Sequence, residues 1–235
     1  MAKGLMIVLR PNRPWLSLLA VAGVLLGGRT SVLAQQFSAD LVVAQREGAG
    51  APAGKLRVFD DKVRIETPEF TDGFFLIDGA KSAAIFVRPP TRVFMDARQS
   101  SQLTRLFVQV DPEDPCRQWQ SMAKQAGVAD QGDWRCERLG EETIDGHVAA
   151  AYRAVPAPGR ELFGWIDPGR KFPVQIRTED GAVITARNVR DEPQPAQLFE
   201  VPSGFRKFDP QAVIQRIKQS DVWVAKETDS PHSQP

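Results

Sequence analysis

The chain has 235 residues, 42% of them hydrophobic and 25% charged, with 30 basic and 29 acidic side chains for a formal charge of +1. That near-neutral balance gives no electrostatic case for binding nucleic acid. The apolar share is too high for a chain that stays disordered, and the length is enough to bury a core as one domain or as a domain with a tail.

Residues 1–34 read as a secretory signal peptide. Lys3, Arg10 and Arg13 make a basic start, Trp15 to Leu26 is an uncharged apolar run, and Val32 and Ala34 take the −3 and −1 positions of a small-residue cleavage site before Gln35. The run is shorter than the ~20 residues of a membrane span; an uncleaved N-terminal anchor is the alternative. No Cys lies near the cleavage site, so nothing marks the chain as a lipoprotein. Cleavage removes four basic residues and no acidic one, which leaves −3.

Phe37, Ala39, Leu41 and Val43 alternate with Ser38, Asp40 and Val42, the period of a half-buried strand. Residues 47–54 form a Gly/Ala/Pro loop. Strands are then expected at 55–59 and 62–66 around Asp60-Asp61, and at 74–78, 83–88 and 92–96, split by Gly79-Ala80-Lys81 and Pro89-Pro90-Thr91. The pattern changes to helical spacing over 99–110 (Leu103, Leu106, Phe107, Val110) and 116–127 (Trp119, Met122, Ala123), with Asp114 as cap and Pro115 as first residue of the second helix. Strands resume at 134–141, 147–155, 161–167, 173–179 and 182–190, and Asp180-Gly181 is the strongest hairpin signal. Asp209-Pro210 opens a last helix with Val213, Ile217 and Val224 on one face, and 226–235 is a polar, frayed tail.

Cys116 and Cys136 are the two cysteines. An even pair in an exported chain reads as a disulfide, here tying the second helix to the strand that carries Trp134. A redox or nucleophilic pair would want C-x-x-C spacing or a His partner, and the sequence has neither.

The fold class that follows is β-rich α+β: about eleven antiparallel strands in a curved sheet, a half-open barrel covered by two or three helices. So many twisted strands cannot stay flat. Of the aromatic residues on these strands, Phe59, Phe74, Phe86, Phe94, Phe163 and Trp165 are candidate lining for an apolar site between sheet and helices. Two readings stay open: a core packed by its own side chains, or a cavity for an acyl chain.

The residues offer little chemistry. His147 sits beside Asp145-Gly146 and His232 in the tail, with no second His or Cys at ligand spacing, so no metal is expected. Asp111, Glu113 and Asp114 lack the spacing of a calcium loop. Ser100-Ser101 has no nearby base and reads as a helix start. Arg88, Arg92 and Arg98 near the Pro89-Pro90 turn are either a solvated face or a contact for anionic head groups. No catalytic residue and no cofactor is expected.

The chain resembles the LolA/LolB-like family of periplasmic, outer-membrane lipoprotein-sorting-like proteins. The resemblance rests on Phe37-Ser-Ala-Asp-Leu-Val-Val, Lys55-Leu-Arg-Val, Asp61-Lys-Val-Arg-Ile-Glu, Ile77-Asp-Gly and Ala84-Ile-Phe-Val-Arg-Pro-Pro. It continues in Gly140-Glu-Glu-Thr-Ile-Asp-Gly-His, Trp165-Ile-Asp-Pro-Gly-Arg-Lys-Phe-Pro-Val and Leu198-Phe-Glu-Val-Pro-Ser-Gly-Phe. It implies an eleven-stranded half-barrel with helices over its mouth, in residues 35–208; the C-terminal helix and tail read from the residues then occupy 209–235. It also implies a periplasmic location and carriage of a lipid or a lipoprotein acyl chain. The helical insert at 99–136 with its cysteines departs from the simple carrier pattern. A non-catalytic module with a self-filled core, bound to an envelope protein partner, is the alternative; an enzyme is the third and weakest reading.

Overall fold

Alternation of period two organises most of the chain, and the strands it sets pair into one sheet. The computed structural model describes residues 35–45, 49–128 and 132–219. The expected signal peptide with its cleavage site, Val224, His232 and the tail 226–235 lie outside these residues. The strands are β1 Gln36–Ala44, β2 Ala51–Phe59, β3 Lys62–Glu66, β4 Phe74–Asp78, β5 Ala83–Arg88, β6 Val93–Asp96, β7 Arg135–Ile144, β8 His147–Ala157, β9 Arg160–Asp167, β10 Phe172–Arg177, β11 Val183–Asp191 and β12 Arg206–Lys207. The helices are α1 Leu103–Leu106, α2 Pro115–Gln125 and α3 Pro210–Gln219.

The strand order is β12-β6-β5-β4-β3-β2-β1-β11-β10-β9-β8-β7. Two meanders, β1–β6 and β7–β11, therefore meet where β1 pairs with both β2 and β11. All pairings are antiparallel except that of β12 with β6. Register shifts within β1, β7, and the β8–β9 and β9–β10 pairs bend the sheet beyond its ordinary twist. The result is the open, curved sheet with helices that the sequence leads one to expect. The additional twelfth strand has two residues, too short to leave a period in the sequence. At the β7–β8 turn Asp145 (φ 48°) and Gly146 (φ 83°) both take the left-handed conformation that a two-residue hairpin turn requires.

Two expected elements differ. The loop at 47–54 is shorter, because Ala51–Gly54 already pairs with β1. The helix expected over 99–110 contracts to α1. Phe107 leaves it at φ −88°, ψ 73°, and Val110 donates its N–H to the Lys171 carbonyl at 2.9 Å, so this stretch is tied to the sheet end. Leu106, Phe107 and Val108 are all buried; three consecutive residues cannot all face one side of a helix, and an irregular turn satisfies the burial instead. In α2 the expected cap is present: Asp114 accepts from the Arg117 N–H at 3.3 Å, and Pro115 opens the helix.

The sheet has an inner face toward α1 and α2 and an outer face, and both carry apolar side chains. On β4, Phe75 and Ile77 join the inner core while Phe74 and Leu76 belong to a second cluster with Val87, Phe94, Val201 and Phe205. Residues 192–205 cover that outer cluster as a strap. Its Phe199 packs on Phe59 with ring centroids 5.7 Å apart, and Arg64 donates to the Leu198 carbonyl at 3.2 Å. Buried Gln194 fastens the start of the strap, its N–H donating to Gln36 Oε1 at 2.6 Å.

Candidate functional site

The place where a half-barrel of this kind could hold a ligand is the trough between the inner face and α1 and α2. It is occupied by the protein's own side chains. Trp119, on α2, is completely buried, and its indole Nε1–H donates to the Leu106 carbonyl at 3.0 Å. The six-membered ring lies against Gly164 on β9: a methyl carbon added there would come within 2.5 Å of the indole Cη2. Phe172 packs edge-on to Phe37 at 5.2 Å between ring centroids and tilted against Phe107 at 6.4 Å. Met122, Leu106 and Ile166 belong to the same core, all of them buried. A volume of about 70 Å³ opens beside this core, bounded by Arg105, Leu106, Ala123, Trp134 and Leu162 among others. Sites that enclose a small organic ligand run to roughly 300–1,000 Å³. Burial holds the Arg105 guanidinium below its usual pKa range, and its Nη1 donates to the Arg98 carbonyl at 3.1 Å.

The Cys116–Cys136 disulfide is formed, with Cα atoms 5.7 Å apart, and ties the first turn of α2 to β7. Tyr152 on β8 adds a second tie by donating its hydroxyl to the Pro112 carbonyl just before α2. On the other side Gln118 Nε2 donates to the Gly79 carbonyl at 2.7 Å, and the Ser82 and Ser121 hydroxyls are 2.7 Å apart. The helix is thus fastened to both meanders. Gly164→Ala is expected to force the indole aside and lower stability by about 1–3 kcal/mol, the usual effect of overpacking. Measured by urea unfolding, the loss should shrink by more than half in a Trp119→Leu background, because the two side chains compete for one space.

The six aromatic residues expected to line a site divide among three places. Phe86 alone packs on the inner core, beside Phe75 at 5.0 Å and Phe70 at 5.4 Å. Phe59, Phe74 and Phe94 lie on the outer face, against residues of the strap. Phe163 and Trp165 lie on the outer face of the other meander with Ala149, Ala151 and Val174. There Arg177 stacks over the Phe163 ring at 3.9 Å. The sequence carries one sign of this division: Phe74-Phe75-Leu76-Ile77 is a continuous apolar run, as expected for a strand covered on both sides. Trp119, Phe107 and Phe172 fill the trough in their place.

The polar candidates are structural in their contacts. Asp111 pairs with Arg117 at 2.8 Å, and Asp114 caps α2. Ser101 Oγ accepts from the Leu103 N–H at 3.1 Å at the start of α1. His147 Nδ1 lies 3.5 Å from Arg170, which Asp167 and Asp191 hold from two sides. Of the three arginines near the Pro89-Pro90 turn, Arg88 pairs with Asp72 at 2.6 Å and Arg98 with Asp96. The hydrogen bonds from Arg98 hold the Asp96 carboxyl below the usual carboxylate range. Among the described residues, no group of three or more His, Cys, Asp or Glu side chains is placed to hold a metal ion. An open groove of about 930 Å³ runs along the rim at Pro68, Phe70, Phe74, Pro89 and Pro90. Phe70 is 48% exposed there.

No family model and no curated protein matches the chain. Solved structures with a related chain path include an uncharacterized conserved protein from Thermus thermophilus, at 12% identity and TM-score 0.43, covering 75% of this chain and 91% of that one. PNGF-II is similar at 10% identity and TM-score 0.47 over 79% of this chain, which spans 34% of PNGF-II. A domain from Vibrio parahaemolyticus named for outer-membrane lipoprotein sorting is similar at 9% identity and TM-score 0.32, covering 77% of this chain and 90% of that one. At these values the likeness assigns neither a ligand nor a partner.

Proposed function

We propose that the protein is a non-catalytic binding module of the periplasm, exported by residues 1–34, whose half-barrel is filled by its own side chains and whose partner is an envelope protein bound on the outer surface. The observation that carries this reading is the seating of Trp119: fully buried, hydrogen-bonded to Leu106 and pressed on Gly164 in the space a ligand would need. A lipid or lipoprotein acyl chain held in the trough would require α2 to lift away, against the disulfide and the ties at Tyr152, Gln118 and Ser121. A protein partner fits the sheet edge. β7 is the last strand on its side and runs for ten residues, so an extended segment of a partner can add beside it. Leu139, on β7, is 51% exposed and Val148, on β8, is 58% exposed; both are apolar contacts near that edge.

Native mass spectrometry of the protein purified from its own cells, together with titration by a fluorescent fatty acid, tests this. The expected result is the bare polypeptide mass and no saturable gain in fluorescence. A co-purifying lipid, or saturable fatty-acid binding at micromolar concentration, overturns the self-filled reading in favour of the carrier.

A further inference from the structure

In residues 206–219 exposure, positive charge and apolar side chains coincide. Phe208 N–H donates to the Phe94 carbonyl at 2.7 Å, fixing the chain beside β6. Asp209 then caps α3, its Oδ1 accepting from Gln211 N–H at 2.9 Å and Ala212 N–H at 3.1 Å. Among the described residues, every one from Arg206 to Arg216 is exposed, Phe208 by 40%, Val213 by 42% and Ile214 by 43%. A ten-residue helix is marginal in water on its own propensity, and most such helices are held by packing an apolar face.

The charges say what could cover that face. From Pro210 to Gln219 there are two basic residues, Arg216 and Lys218, and no acid; Arg206 and Lys207 precede them, against Asp209 before the helix and Asp221 two residues after it in the sequence. The chain from Gln35 onward carries −3 overall, so what lies outside this segment is more acidic still. At about 100° per residue, Val213 and Ile214 share one arc of α3, with Arg216 flanking it on one side and Lys218 on the other, and Gln211, Gln215 and Gln219 opposite.

We infer that α3, with Arg206, Lys207 and Phe208, docks the protein on an anionic bilayer surface. The apolar arc enters the boundary between head groups and acyl chains, and the flanking cations meet the lipid phosphates. The basic residues on both flanks favour a lipid surface over a protein groove, since a layer of phosphates surrounds an embedded helix on both sides. With so few apolar residues the attachment is reversible and salt-sensitive. It goes beyond the function proposed for the sheet and does not depend on it.

The test is co-sedimentation of the whole chain, isolated from cells that export it, with vesicles of phosphatidylglycerol and phosphatidylcholine in equal parts and with vesicles of phosphatidylcholine alone. Partitioning to the anionic vesicles is expected to be at least about tenfold stronger, at ~1 kcal/mol for each basic residue near the surface, and to weaken in high salt. The paired variants Val213→Asp with Ile214→Asp, and Arg216→Glu with Lys218→Glu, are expected to abolish it while melting at the wild-type temperature, because all four positions lie outside the core. Equal binding to both vesicle types, variants that bind like wild type, or wild type left in the supernatant each overturn the inference. The last is the outcome if α3 fits a protein groove instead. Such a failure leaves the filled trough untouched, since that is decided by lipid extraction and fatty-acid titration.

Discussion

Trp119→Ala should lower the unfolding free energy by about 3–5 kcal/mol, the range for truncating a large buried aromatic residue. The substitution removes a side chain with no solvent exposure and leaves the Leu106 carbonyl without its indole donor. For a chain of this size each kcal/mol moves the melting temperature by roughly 2–4 °C, so a fall on the order of 10 °C is expected. The cavity left behind lies within the core cluster that also holds Leu106, Phe107, Met122 and Ile176, all buried and apolar. A dry apolar cavity of this kind takes up small apolar molecules. Added indole should therefore restore part of the lost stability in Trp119→Ala and none in wild type. A loss below about 1 kcal/mol would mean that the indole is not seated in the core as described.

The second large effect concerns the bond between Cys116 and Cys136. The cysteines are 20 residues apart, and in the chain-entropy model closing a loop of that size stabilises the fold by about 3 kcal/mol. Replacing both cysteines by serine should cost that much in urea unfolding, and reductant should bring wild type to nearly the same midpoint. Reductant should leave the double-serine variant unchanged. The bond joins α2 to β7, an edge strand whose other residues are mostly exposed. Its loss should therefore raise amide exchange first in β7 and in the first turn of α2, ahead of the central strands β1 and β11. A wild-type midpoint unmoved by reductant would contradict the structural role.

The strand pattern was the most legible part of the chain. Phe37, Ala39 and Leu41 alternate in the sequence and turn one face to the core in the structure, because a strand has only two faces and the period settles which residues share one. The same rule explains what could not be read. Period two does not say which face the helices cover. Phe59, Phe74 and Phe94 face the strap, and the strap has no period of its own: Phe199, Val201 and Phe205 cover the outer face from irregular chain and a short 3-10 turn. The disulfide partners were legible because the chain holds two cysteines. Trp119 was legible as part of a helix face, but its seat was not. Its contact with Gly164 joins residues far apart in sequence, and a glycine on a strand does not announce what lies over it. The stretch from Leu103 to Val110 has helical spacing, yet packing wins over propensity there, with Phe107 and Val108 buried by a turn rather than a helix.

Exchange of the Trp119 indole Nε1–H with solvent, followed by NMR on the folded protein, reports directly on whether the trough stays closed. If Trp119 is released only when the whole sheet unfolds, its indole proton will exchange as slowly as the most protected amides of β1 and β11 and will respond to urea with the same steepness as global unfolding. Exchange much faster than those amides, and insensitive to urea, would show that α2 lifts from a folded sheet, and the trough would then be open to a ligand.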